Sequence, residues 1–345
     1  MNRQIPIPRF IEALLFSWRG VEWRRFDWVS PLGALCLCVI GVLFIYSSQV
    51  YNEGDLWIKQ VVWIALGLVI YGGVSLIDYK VILENAHFIY LAALVMLLLV
   101  LTPLGTEIYN ARRWIDLGVI TLQPSEFAKA GTLILVARVL SKFQFRTTIE
   151  SLVSFVLVAV AAGIPTLFIF AQPDLGSALV IPIMTFFLLY SAGFHRRFFQ
   201  ISVVAGLLLS GIIGYDLHRY ESFLQERQIT ALENRGEFEE HSILPLKDYQ
   251  RNRLLSFIAP DRIDPQGLGV SWNVRQSLIS VGTGGWSGKG WTEGTQAKLG
   301  YLPQTVAYND FIFSVIAEES GFIGSATVII LFAILVSNGI RIARL

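Results

Sequence analysis

Asp310, Ser314 and Glu318 recur at i, i+4 and i+8 in NDFIFSVIAEES, which on a helix puts three polar side chains on one face. The run they occupy is otherwise apolar and long enough to cross a bilayer. A carboxylate two turns into such a helix costs about 2.5–3.5 kcal/mol on insertion scales, so the face is expected to line an interior cavity rather than meet lipid. Glu318 or Glu319 is expected on its wall. At its mouth Asp310 has the chemistry of a general base or a cation ligand, although an Asp at a helix start also caps exposed N–H groups.

A second group precedes it. Glu126 and Lys129 in LQPSEFAKA stand at i, i+3 and can pair across one turn, either as a neutralised ion pair or as a polar wall of the cavity. Arg112 and Arg113 can grip phosphate, and Trp114 beside them can stack on a sugar or anchor at the membrane interface. Asp174 in QPDLGS reads first as a cap for the following helix.

The elements that must position these residues follow from hydropathy. Of 345 residues, 54% are hydrophobic and 15% charged, against roughly 25% charged in a soluble domain. Apolar runs near 29–49, 57–77, 86–103, 124–141, 150–171, 177–194, 198–216 and 310–338 predict eight spanning helices. The fold class expected is therefore an all-α polytopic membrane protein. Residues 1–28 mix Trp and Arg as an interfacial arm does. Residues 29–216 hold seven spans, 217–309 form one large loop, and 310–345 hold the eighth span and the chain end.

Basic segments in the N-terminal arm, near 137–146, near 194–198 and in the terminal RIAR fall on one side if there are eight spans, and that side is expected to be cytoplasmic. The loops carrying Arg112, Asp174 and 217–309 then face outward. An outward arginine pair breaks the positive-inside trend, and binding an anion at that surface would account for it. A net charge of +1 offers no global field for nucleic acid. Cys36 and Cys38 lie inside an apolar run, away from any disulfide framework. His87, His195, His218 and His241 show no metal-ligand spacing, and there is no Walker loop, GxSxG elbow or Rossmann glycine fingerprint.

Five segments, NARRWIDLGVITLQPSEFAK, AQPDLGSALV, YQRNRLLSFIAPDRIDPQGLG, GWSGKGWTEGTQAKLGYLPQ and NDFIFSVIAEESGFIG, occur in the order found in the SEDS family of shape, elongation, division and sporulation proteins. The chain resembles that family over roughly residues 28–340, most of all its RodA branch, with FtsW as the alternative. The resemblance implies a peptidoglycan glycosyltransferase that polymerises lipid II at the outer face of the bacterial cytoplasmic membrane, for cell elongation and shape, beside a class B penicillin-binding protein. It implies an essential aspartate at Asp310, a functional tryptophan at Trp114, and functional roles for Glu126 and Lys129. Tyr308 and Asn309 stand where the family has His and Thr, and Gln304 where it has Glu. The family has ten spans and a late Pro-rich motif, so this sequence is expected to lack the last two.

Taken together, Asp310 is the expected base or ligand of a divalent cation, Mg²⁺ or Mn²⁺. Arg112, Arg113, Trp114, Glu126, Lys129, Asp174, Glu318 and Glu319 are expected to bind substrate. The rival readings are a lipid II flippase, which would need essential charge at mid-membrane, and a scaffold without catalysis.

Overall fold

The computed structural model describes residues 26–344 except 53, 109–110, 117, 119–120, 146, 173, 235 and 303–306. The interfacial arm up to residue 25 and Gln304 thus lie outside the described residues. Each of the eight apolar runs is helical. They are α1 (Val29–Gln49), α2 (Leu56–Ser75), α3 (Ala86–Val100), α4 (Pro124–Leu140), α5 (Thr148–Ala171), α6 (Leu175–Ser191), α7 (Arg196–Arg227) and, after the intervening α8 (Asp248–Ile258) and α9 (Trp272–Thr283), α10 (Ile312–Ala343). By length and composition α1, α2, α5, α7 and α10 can each cross a membrane, while α3 and α6 are shorter apolar helices. Large aliphatic side chains such as Val69, Leu167 and Leu207 face outward, whereas Thr132 and Ser154 are fully buried. Water would select the reverse pattern and lipid selects this one, so the chain is an all-α polytopic membrane protein.

The chain divides into two compact units. Among the described residues the first is Gly73–Leu207. Its core is built from α3, α4, α5 and α6, where Ala93, Leu97, Ala128, Ala162, Ile169, Ala178 and Ile181 pack together. Alanine at so many contact points lets the helix backbones approach closely. A second cluster, around Val136, Leu140, Val158 and Leu189, is closed by Phe145, Phe194 and Phe198. The sequence reading gave no structure to the α3–α4 connection, but it forms a three-stranded antiparallel sheet, β1 (Gly105–Ile108), β2 (Ala111–Asp116) and β3 (Thr121–Leu122). A register shift between Thr106 and Glu107 interrupts the first pairing.

Among the described residues the second unit comprises 26–72 and 208–344. Here α1 and α10 run antiparallel, tied at one end by Asn338 donating to Asp27 (2.8 Å) and at the other by Ser47 donating to Glu319 (2.5 Å). α7 does not stop at residue 216, the expected end of its span. It continues to Arg227 because Leu217, Tyr220 and Leu224 present an apolar stripe that packs with Phe238, Leu255 and Ile263.

Arg251 on α8 is the hub of this cluster and is wholly buried. Its Nε donates to Asp216 (2.9 Å) and its Nη1 to Asp248 (3.0 Å) and the Leu246 carbonyl (2.5 Å). Its Nη2 donates to Ser242 and to the Leu244 carbonyl. Burial pushes the Asp248 carboxyl above its ordinary value, against the opposing pull of Asn234 and Arg251. Removing one partner of such a network leaves a bare charge in a dry site. Arg251→Ala is therefore expected to destabilise this cluster by about 3–5 kcal/mol, read as a lower unfolding temperature and faster proteolysis within 228–247. An unchanged melting temperature would show that the network carries no stability.

Candidate functional site

In the first unit the predicted residues gather at one end of the helices. β2 leads from the end of α3 to the start of α4, and Gln172 and Asp174 stand where α5 ends and α6 begins. Arg113 links the two connections, its Nε donating to the Gln172 carbonyl (3.3 Å). The buried Gln172 in turn donates to the Leu97 carbonyl at the end of α3 (3.4 Å). Arg112 pairs with Glu107 across the strands (3.4 Å), with both side chains about half exposed. Trp114 lies opposite Thr106 on the same hairpin and is partly buried.

Pro124 begins α4, where its missing N–H removes no helix bond. Glu126 and Lys129 then form the i, i+3 ion pair at 2.7 Å, with Lys129 the more buried. Asp174 accepts from the Ser177 N–H (3.1 Å) and is the N-cap of α6. This end of the unit therefore carries Arg112, Arg113, Lys129 and Trp114, with Arg112 paired to Glu107 and Lys129 to Glu126. Such a set suits an anionic ligand that also has an apolar or sugar face.

In the second unit the Asp310 turn is held from both sides. Leu302, Ala307 and Val315 are buried together, with Phe311 and Ile312 packed against them. Between these anchors Tyr308, Asn309 and Asp310 form an exposed-to-intermediate turn. α10 starts at Ile312 with Phe311 as its N-cap and no capping side chain. The Asp310 carboxylate is thus exposed, and among the described residues no hydrogen bond or ion pair holds it.

The carboxylates further along α10 are in the opposite condition. Ser314 is buried and shares a 2.6 Å hydrogen bond with Ser277 of α9. Glu318, also buried, accepts from Lys289 Nζ (2.5 Å), the Thr295 N–H (2.9 Å) and hydroxyl (2.8 Å), and the Gln296 N–H (3.1 Å). Glu319 accepts from Ser47 and from the Thr292 N–H (3.1 Å). Both carboxylates thus grip the loop between α9 and the Asp310 turn.

That loop also enters a break in α10. Gly321 has φ 65° and ψ −158°, so the helix is interrupted there. The carbonyls of Glu318 and Glu319 accept from the N–H groups of Lys289 and Gly290, while the N–H groups of Phe322 and Ile323 donate to the carbonyls of Gly285 and Trp286. The groups freed by the interruption are satisfied by the loop, as an irregular segment at the membrane requires. Sequence reasoning missed Lys289, Thr295, Gln172 and the role of Gly321. The Ser320–Gly321 pair inside an apolar run was the signal available for the last of these.

Upstream, Asp264 accepts from the N–H groups of Gly267 (2.9 Å), Gly269 (2.7 Å) and Ser271 (3.2 Å), and so shapes the turn into α9. Burial pushes its carboxyl up, but hydrogen bonds from Ser271, Gly269 and Gly267 outweigh that and hold it below its ordinary value. Among the described residues no three His, Cys, Asp or Glu side chains are grouped to hold a metal ion.

Helices whose large aliphatic side chains face outward define a polytopic membrane protein, and each of its two units carries its own polar groups. The chain belongs to the FtsW/RodA/SpoVE family of cell cycle proteins, whose model matches residues 28–345. It is similar to the peptidoglycan glycosyltransferase MrdB of Escherichia coli K12, with 31% identity over 309 residues, covering 90% of this chain and 73% of that protein. The peptidoglycan glycosyltransferase RodA of Treponema pallidum is 30% identical over 90% of this chain and 80% of its own length. Among solved structures, a chain from a peptidoglycan synthase complex, described as coordinating polymerization and crosslinking, matches with a TM-score of 0.65 and 25% identity over 91% of this chain and 77% of that one.

Proposed function

We propose that the chain is a peptidoglycan glycosyltransferase that polymerises lipid II into glycan strands for elongation and cell shape. It does so at the outer face of the bacterial cytoplasmic membrane, with its N-terminus inside, beside a class B penicillin-binding protein that cross-links the product. The observation that carries this reading is the Asp310 carboxylate, exposed and, among the described residues, without a hydrogen bond on a turn clamped at both ends, while Glu318 and Glu319 on the helix that follows are spent on internal hydrogen bonds. The names of the relatives support the activity, and the solved complex supports the kind of partner.

In this mechanism the 4-hydroxyl of one lipid II attacks the anomeric carbon of the lipid-linked glycan, with inversion. The bond from that carbon to the phosphate oxygen breaks, polyprenyl diphosphate leaves, and the hydroxyl proton passes to Asp310. Arg112, Arg113, Lys129 and Trp114 of the first unit are proposed substrate-binding residues, cations for phosphate and an aromatic ring for a sugar face. Glu126 holds Lys129 in place through their ion pair, and Asp174 keeps the start of α6 in position. Glu318 and Glu319 serve the substrate indirectly, through the loop they hold. Among the described residues no carboxylates are grouped to hold a metal ion, so a divalent cation would take a single carboxylate together with substrate phosphates, as Mg²⁺ commonly does. Asp310 would be its protein ligand, and the ion would supply charge neutralisation at the diphosphate.

The test is the purified chain in liposomes with lipid II, with and without its transpeptidase partner. Glycan polymer on a gel is the expected product. Translocation of lipid II across the vesicle without polymer would replace this reading with the flippase, and neither activity under both conditions would replace it with the scaffold.

A further inference from the structure

α9 is inside out for a helix in water. It buries Gln276 and Ser280 on its inner side, with Gly284 one turn further on, and its Ser277 hydroxyl meets Ser314 of α10. Its outer side carries Leu278, 63% exposed, with Ile279 and Val281 also exposed. Trp286, in the turn that follows, is 75% exposed, and its ring lies 5.1 Å from that of Phe322. A surface helix in water turns its apolar stripe inward and its polar residues outward. Here the polar residues make the protein contact and the aliphatic ones are left outside.

The depth of this surface can be set from α10. Arg341 is exposed near the far end of that helix, and a cation is costly within the hydrocarbon. From Arg341 back to Gly321 is about 30 Å at the helical rise per residue, the thickness of a hydrocarbon core. With Arg341 at one boundary, Gly321 reaches the other. The loop is hydrogen-bonded to α10 at that level, because Phe322 and Ile323 donate to the carbonyls of Gly285 and Trp286. Phe322 and Ile323 begin the exposed apolar face of the spanning part of α10, and Trp286 and the outer side of α9 extend it.

We infer that α9 and the turn at 284–291 lie in the outer interfacial layer of the bilayer, with the exposed apolar outer face of α9 against the lipid there and the turn at Gly285 and Trp286 reaching the edge of the acyl chains. The segment descends along α10 from Ser314 to Gly321, turns at Gly285 and Trp286, and returns along the carbonyls of Glu318 and Glu319. Its occupant is bulk lipid, since the surface is continuous with the lipid-facing side of a spanning helix. Its turn is compatible with that depth because the N–H groups of Gly288, Lys289 and Gly290 are bonded within the protein. The large loop expected from the sequence to lie in water thus places part of itself in the membrane.

The experiment uses the full chain carrying Cys36→Ser and Cys38→Ser, with one cysteine introduced at a time as Leu278→Cys, Trp286→Cys or, as the water-exposed reference, Glu240→Cys. In phosphatidylcholine and phosphatidylglycerol nanodiscs, a charged maleimide is expected to react roughly tenfold or more slowly at 278 and 286 than at 240, since lipid covers both positions and a charge is costly at the edge of the hydrocarbon. An environment-sensitive fluorophore attached at 278 or 286 is expected to be quenched by lipids carrying a spin label on the acyl chain, and one at 240 is not. Cys36, Leu278, Trp286 and Glu240 are exposed and Cys38 is partly buried, where serine is close in size to cysteine. Reaction at 278 or 286 as fast as at 240, with no quenching by labelled lipid, overturns the inference whether or not the chain makes polymer.

Discussion

Asp310→Asn is expected to lower glycan polymerisation by about 10²- to 10⁴-fold, the contribution typical of a positioned general base, while leaving membrane insertion and melting temperature unchanged. The stability half of this expectation comes from the local structure. The N-cap of α10 is Phe311, and among the described residues the Asp310 carboxylate has no hydrogen bond to lose. The turn is held by Leu302, Ala307 and Val315, which the substitution does not touch. Asn keeps the size of the side chain and removes the charge, so it can neither take a proton nor bind a cation with the same strength. The measurement is polymer formed from purified lipid II by matched amounts of both proteins, together with a thermal unfolding scan of each. Wild-type polymerisation by the Asn variant would remove Asp310 from the chemistry, and a large fall in melting temperature would assign it to structure.

The spanning helices were legible because a hydrocarbon core admits few ways to satisfy a backbone, so apolar runs of sufficient length become helices almost regardless of detail. Long-range polar pairing is a different matter. The spacing of Asp310, Ser314 and Glu318 predicts one helical face, but α10 starts at Ile312 and leaves Asp310 on the turn before it, and the partner of Glu318 is Lys289, held by a loop geometry that no periodicity encodes. The three strands between α3 and α4 are short and carry Arg112, Arg113 and Asp116, which gives them no alternating apolar pattern to detect. The continuation of α7 was hidden because its polar outer face resembles a soluble segment, and its apolar stripe gains meaning only once Arg251 and Leu255 pack against it. The outward face of α9 was hidden for the converse reason. Serine and glutamine in a short helix suggest water exposure until their partners on α10 are known.

The break in α10 leads to the second large effect. Gly321→Ala is expected to cost about 4 kcal/mol or more, which places it among the exceptional single substitutions. Its φ of 65° with ψ near −158° lies in a region that is essentially glycine-only, and holding another residue there costs about 1–3 kcal/mol. A Cβ added at this position would stand 2.3 Å from the Gly288 nitrogen and 2.7 Å from the Trp286 carbonyl, both of them backbone that cannot swing aside. Relief requires the loop to leave the break. The N–H groups of Lys289, Gly290, Phe322 and Ile323 then lose their acceptors, and each buried group left unpaired costs about 1–3 kcal/mol. Gly282→Ala is the control, because a Cβ there meets nothing within 4 Å and the position lies within α9. It is expected to be neutral or stabilising by up to about 1 kcal/mol. In the same detergent, Gly321→Ala should melt earlier than wild type, be cut by trypsin after Lys289, and polymerise poorly with Asp310 intact, because the loop that leads into the Asp310 turn has come loose. If Gly321→Ala melts with the wild type and resists trypsin, the loop is not held by the break, and Glu318 and Glu319 must position it unaided.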